Sequence, residues 1–230
     1  MLRSPLVLSG LKLAVASSLA LIAFAAPANA ANTTFAQFIQ STGTKIVSYG
    51  KSGGSNTLSV VNGPVTFSTF AFGPASSGPA LFNMSASSSA PVTALGQAFL
   101  QPSWNGTMSF TNGATNLLTV SFANAVFSVD DGKSSGGLAS GFPPHSITFT
   151  SDILDLSLLT TKDFSLAFNG FRPLFGTGMD GLGTPFAANV TGTFAGGVPE
   201  MQSWMMMIAG FGAVGAVARN RRRSGPQVLA

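Results

Sequence analysis

Apolar and polar side chains alternate with a period of two in a series of short runs along this chain. Val65 and Phe67 alternate with Thr66 and Ser68, Met108 and Phe110 with Thr107, Ser109 and Thr111, and Leu118, Val120 and Phe122 with Thr119 and Ser121. The same period recurs at Phe127 and Val129, at Ile147 and Phe149, at Leu154, Leu156 and Leu158, at Phe164, Leu166 and Phe168, and at Phe186, Ala188 and Val190. Alternation puts the apolar side chains of an extended segment on one face, so each run predicts a strand with one dry side and one wet side. Turn formers separate the runs: Asn62-Gly63-Pro64, Asn105-Gly106, Asn112-Gly113, Asp131-Gly132, Gly136-Gly137, Pro143-Pro144 and Asn169-Gly170. Half-wet sheets must bury their apolar faces against one another. The pattern therefore predicts an all-β, antiparallel β-sandwich or jelly-roll-like domain. Residues 33–40 depart from it: Phe35, Phe38 and Ile39 share a helical face behind Thr33 or Thr34 as a cap, which predicts one short N-terminal helix. The Ser-, Gly-, Ala- and Pro-rich stretch 73–91 reads as a long loop.

Two further segments stand outside the strand pattern. At the start, Arg3 and Lys12 precede an apolar run from Leu13 to Ala26, and Pro27-Ala28-Asn29-Ala30 follows with small residues at Ala28 and Ala30. A basic lead, a short apolar stretch and a small-x-small site make up a secretory signal peptide. Residues 1–30 thus predict an export signal cut after Ala30, with the Sec translocon and signal peptidase as partners. Towards the other end, residues 201–218 carry no charge and are followed by Arg219, Arg221, Arg222 and Arg223. As a helix those 18 residues measure about 27 Å, near the roughly 30 Å of a bilayer's hydrocarbon core. Trp204 suits one interface and the arginines hold the other end on the cytoplasmic side. Gly210, Gly212 and Gly215 would each cost about 1 kcal/mol relative to alanine in a soluble helix. The expectation is a C-terminal transmembrane helix in the inner membrane and an organisation of three parts: 1–30 signal peptide, 31–197 exported domain, 198–230 tail.

That division changes the charge. The whole chain is +4, but within 31–197 Lys45, Lys51, Lys133, Lys162 and Arg172 face Asp130, Asp131, Asp152, Asp155, Asp163 and Asp180, leaving −1. A phosphate-binding surface needs a basic patch, so no nucleic-acid partner is expected. The absence of cysteine excludes disulfides, thiol chemistry and a lipoprotein acyl anchor. His145 is the single histidine and lies beside Pro143-Pro144 in an expected loop, so no transition-metal site and no cofactor are expected. Asp152, Asp155 and Asp163 fall on adjacent expected strands and Asp130-Asp131 precede a Gly-Lys turn; they serve either as solvated strand and turn residues or as the carboxylate pair of a glycoside hydrolase, which needs a separation of about 5 to 9.5 Å. The domain holds all but Phe24 and Phe211 of the chain's 20 phenylalanines, and only Tyr49 and Trp104 as aromatics with a polar handle. Trp104 is the best candidate for stacking on a ligand such as a sugar, and otherwise a core residue near a turn.

The tail Pro199-Glu200-Met201-Gln202-Ser203-Trp204-Met205, followed by Ile208-Ala209-Gly210-Phe211-Gly212 and the closing arginines, resembles the PEP-CTERM sorting signal of exported proteins of Gram-negative bacteria, in its PEPxxWA variant. Met201 stands where that signal has its second proline, Met205 where alanine is usual, and seven residues follow Arg223. With Met201 the bias that a proline places on the preceding residue is absent at Glu200, while Pro199 still restrains Val198. The resemblance implies recognition by exosortase, a membrane cysteine peptidase or transpeptidase that cuts near the Pro-Glu motif, and sorting to the cell surface or beyond.

Few charges serve the whole exported domain, so its outside is expected to be Ser-, Thr-, Asn- and Gly-rich. Weak self-repulsion then favours association with neutral polymers or with itself. These features predict a non-enzymatic exported surface or extracellular-matrix protein associated with exopolysaccharide, as the resemblance also implies. The alternatives are a carbohydrate-binding module retained as a single-pass membrane protein, using Trp104, and a glycan-active enzyme using the aspartates.

Overall fold

The computed structural model describes residues 31–130, 132–140 and 144–198, together with Ile208, Gly210, Phe211, Gly212 and Arg219. The chain divides into a unit of Ala30–Pro199 and a unit of Met1–Asn29 with Glu200–Ala230. In the second unit the described residues are helical and exposed. Among the described residues no helix is long and apolar enough to cross a membrane; the expected span at 201–218 lies largely outside them.

The first unit is built from eleven strands: β1 (Ala31–Gln40), β2 (Val47–Ser52), β3 (Ser55–Thr69), β4 (Ser76–Ser88), β5 (Thr93–Leu95), β6 (Ala98–Asn112), β7 (Thr115–Val129), β8 (Ser135–Ala139), β9 (Ser146–Thr150), β10 (Thr161–Arg172) and β11 (Phe186–Val198). Every pairing is antiparallel. Following the hydrogen-bonded neighbours gives β6-β4-β3-β1-β11-β10-β8-β7, and β7 returns to β6. That last pairing closes the sheet into a barrel. The all-β, antiparallel character agrees with the alternation, while the two separate sheets of a sandwich are replaced by one ring. Closure removes the unpaired edges that an open sheet would expose. β2 takes the place between β3 and β11 where β1 has ended, and β5 and β9 are short additions on β6 and β7.

Three strands run for 15 residues, about 50 Å at roughly 3.3 Å per residue. They fit one barrel because bulges bend them. Register shifts fall between Val60 and Gly63, between Gln101, Trp104 and Gly106, and between Asn169 and Arg172. Asn62, Ser103, Asn124 and Gly170 carry positive φ at these bends, a conformation open mainly to glycine and asparagine. The dipeptides expected as turns at Asn62-Gly63, Asn105-Gly106 and Asn169-Gly170 thus lie inside continuous strands as kinks. Gly136-Gly137 lies within β8, where a Cβ on Gly136 would come 3.2 Å from the Phe171 ring. Asn112-Gly113 does turn, as the β6–β7 hairpin.

Three other expectations are corrected. Residues 33–40 form β1, not a helix: a bulge between Thr34 and Ala36 turns Phe35, Ala36 and Phe38 all inward, and that spacing imitates a helical face. Between β3 and β11 the segment finds backbone partners on both sides, which outweighs local helical preference. Residues 76–88 form β4 rather than a loop; Ala80, Phe82, Met84 and Ala86 point inward between outward polar residues, an alternation that the small size of Ala and Ser conceals. Leu154, Leu156 and Leu158 belong to no strand. Their segment joins β9 to β10, with Asp155 N–H bonded to the Phe72 carbonyl and Leu154 buried.

The interior is filled with rings. Phe82 and Phe110 stack with centroids 4.7 Å apart, and Phe38, Phe67 and Phe194 pack around Phe110. A second cluster joins Tyr49, Trp104, Phe127, Phe175 and Phe186, with Tyr49 and Phe186 stacked at 4.7 Å. Side chains fill a ring of eight strands, as its diameter permits. Apolar side chains face in and Ser, Thr and Asn face out, the inverse of a barrel embedded in lipid.

Candidate functional site

Trp104 lies in the core, with none of its surface exposed. Gln101 and Trp104 both point inward because Pro102 and Ser103 bulge out between them, Ser103 at φ +60°. Tyr49 and Phe127 hold the indole from two sides, each with its centroid 5.9 Å away. The expected ligand-stacking platform is therefore absent at this residue: a ring sealed behind a bulge meets no sugar. Its Nε1 is buried with no hydrogen-bond partner.

Beside it runs a buried polar chain that no sequence motif marks. The Tyr49 hydroxyl donates to Gln101 Oε1 at 2.9 Å, and Gln101 Nε2 donates to Asn56 Oδ1 at 3.1 Å and to the Ala90 carbonyl at 2.8 Å. Asn56 Nδ2 donates to the carbonyls of Gly183 at 3.0 Å and Gly50 at 3.2 Å, while Gly183 N–H donates to Asn56 Oδ1 at 2.9 Å. Asn56 and Gln101 are wholly buried. Burial pushes the Tyr49 phenol well above its ordinary range, which keeps it neutral. These bonds latch the connection between β10 and β11, residues 173–185, to the barrel. Gly183 must be glycine there, since a Cβ would lie 2.7 Å from the Phe175 ring. An exposed ion pair, Lys51 to Asp180 at 2.8 Å, fastens the same connection from outside.

The aspartates are spread over the surface and each serves a local bond. Asp130 accepts from the Ser135 hydroxyl at 2.6 Å, and Asp152 from Asn116 N–H at 2.8 Å. Asp155 accepts from the hydroxyl and N–H of Ser157, which hold its carboxyl below the usual range. Asp152 and Asp155 sit in the β9–β10 connection, not on strands beside Asp163. Asp131 lies outside the described residues. Among the described residues no group of three His, Cys, Asp or Glu could hold a metal ion.

One groove does collect polar chemistry that the sequence scatters. About 620 Å³ in volume, it lies between β9 and the start of β10, which do not pair, and includes Ser140, His145, Thr161, Lys162 and Asp163 in its lining. The Ser140 hydroxyl donates to Asp163 Oδ1. Nucleophilic catalysis needs a base within hydrogen-bond reach of the hydroxyl and an orienting group behind it. Here the serine spends its proton on the carboxylate, and His145 is exposed on the rim. The arrangement is a polar slot in which Ser140, Asp163 and His145 come together.

Of the sorting residues, Gly210, Phe211, Gly212 and Arg219 are described, helical and exposed. Ala28, Ala30, Pro199, Glu200, Trp204, Arg221, Arg222 and Arg223 lie outside the described residues. β1 begins at Ala31 and β11 ends at Val198, and these two residues are partners across the ladder. The described domain thus reaches one residue beyond the expected boundary at 197.

Fold and interior together define a closed, ring-filled antiparallel β-barrel with a polar, sparsely charged exterior. Searched against protein-family models, curated proteins and solved structures, the chain finds no match in any of the three.

Proposed function

We propose that this is a non-enzymatic exported protein of the cell surface or extracellular matrix, sorted through an exosortase-type C-terminal signal and associated with exopolysaccharide. The observation that carries the reading is the pairing of Ala31 with Val198. All eleven strands lie between the residue after the small-x-small site and the residue before Pro199-Glu200. Removal of both end segments would leave every ladder intact, as a body delivered by its ends requires. The barrel's exterior supports delivery into water: its strands turn Ser, Thr and Asn outward and gather their aromatic rings in one buried cluster.

The experiment is mass measurement of both termini of the protein recovered from medium, surface and membrane fractions. Extracellular protein is expected to begin at Ala31 and to lack Arg219 to Arg223. Extracellular material that retains the arginines would overturn the processing step, and protein found only in the cytoplasm would overturn export.

A further inference from the structure

The strands β3, β4, β6, β7 and β9 form one continuous outer wall that carries no charged side chain. Across it the ladder registers align a row of hydroxyls. Ser48 of β2 pairs with Ser59, Ser59 with Ser85, Ser85 with Thr107, Thr107 with Ser121, and Ser121 with Thr148. All except half-buried Ser59 are exposed. Neighbouring strands lie about 4.8 Å apart, so the row runs for about 24 Å perpendicular to the strands. A second row, Asn83, Ser109, Thr119 and Thr150, lies two residues along each strand.

Other outward hydroxyls are paired with each other, Ser68 with Ser77 and Ser41 with Thr66. Among the described residues the six hydroxyls of the long row have no partner in the protein.

We propose that this wall binds a neutral polysaccharide laid along the hydroxyl row, across the strands. Each hydroxyl offers one donor and two acceptor positions, the same inventory as a sugar hydroxyl, so the two arrays can satisfy each other. Serine and threonine have short side chains on a fixed ladder, and ordering them on binding loses little freedom. The chemistry of the wall excludes other occupants. A nucleic acid or an acidic polymer needs cations, and the wall has none. A protein interface needs a buried core of aromatic or aliphatic side chains; on this wall the exposed large apolar residues are Val61 and Leu81, both outside the hydroxyl row, and burying a field of hydroxyls against apolar surface costs more than it returns. The opposite wall differs. There Ser165, Thr193 and Gln37 make a row that ends against Ser68 of β3, but the next is broken by Ala167 and by exposed Ile39.

The inference rests on the exported reading only for access to polysaccharide, and its test does not depend on export. Full-length protein is co-sedimented with insoluble cellulose, chitin and cross-linked dextran, with alginate gel as the anionic comparison. Saturable binding to at least one neutral polymer is expected. The variant Ser59→Ala/Ser85→Ala/Thr107→Val/Ser121→Ala should bind at least tenfold more weakly, and Ser165→Ala/Thr193→Val on the opposite wall should bind like the parent. Circular dichroism and urea midpoints show that each variant is folded; should the fourfold variant unfold, Thr107→Leu/Ser121→Leu, which keeps strand preference and covers the row, replaces it. No binding to any neutral polymer, stronger binding to alginate, undiminished binding by the row variant, or equal loss in the opposite-wall variant overturns the inference. Binding by a protein that is not exported would leave it standing and remove the functional reading instead.

Discussion

Asn56→Ala tests whether the buried polar chain holds the β10–β11 connection on the barrel. The side chain takes part in four hydrogen bonds, to Gly50, twice to Gly183 and once to Gln101, and none of its surface is exposed. At a net of about 0.5–1.5 kcal/mol per bond, their loss amounts to about 2–6 kcal/mol. The vacated space admits water, which restores part of the pairing for the stranded Gly183 and Gln101 groups. The expected cost is therefore about 2–5 kcal/mol, at the severe end of single substitutions. Urea unfolding followed by circular dichroism measures it, with an unchanged m-value showing that the unfolded state is the same. Hydrogen exchange adds the location: the Gly183 amide should become one of the fast-exchanging sites of the barrel while β3 and β6 amides remain slow. A loss below about 1 kcal/mol, with Gly183 still protected, refutes the latch.

Two further predictions concern the same region. Burial raises the Tyr49 phenol above its ordinary 10.0, so the stabilising contribution is fully present below the unfolded-state value and is lost as pH rises from there towards the folded-state value. Between pH 10 and 11.5 the parent should lose about 1 kcal/mol per pH unit more than Tyr49→Phe, the slope steepening towards the higher pH, read from urea midpoints; equal slopes would refute it. Trp104→Phe removes an unpartnered buried N–H along with part of a ring, so it should cost less than about 1 kcal/mol, whereas Trp104→Ala should cost about 3–5 kcal/mol by leaving a cavity. Both variants should bind polysaccharide as the parent does. Weakened binding by folded Trp104→Phe would contradict a purely internal role.

Strand content was legible wherever large apolar residues alternate with polar ones. Phe164, Leu166 and Phe168 face the core as their spacing requires, and so do Leu118, Val120 and Phe122. Reading failed where a bulge resets the parity. Phe35, Phe38 and Ile39 have helical spacing, yet Ile39 faces outward, and Pro102-Ser103 makes Trp104 look like a residue beside a turn. It failed also where inward residues are small, as along β4. The candidate sites were less legible still. The Tyr49, Gln101 and Asn56 chain joins residues up to 52 positions apart, and the hydroxyl row takes one residue from each of six strands. Neither leaves a local motif.

By itself the sequence determined an antiparallel β domain of low charge flanked by an expected export signal and sorting tail, because period-two patterning, charge and end composition are local properties. Only the tertiary structure decided that the sheet closes, that Trp104 is sealed inside, that Ala31 meets Val198, and that six separate hydroxyls fall into line. Those outcomes depend on register between distant strands. Register is set by how bulges and buried rings fit together in three dimensions.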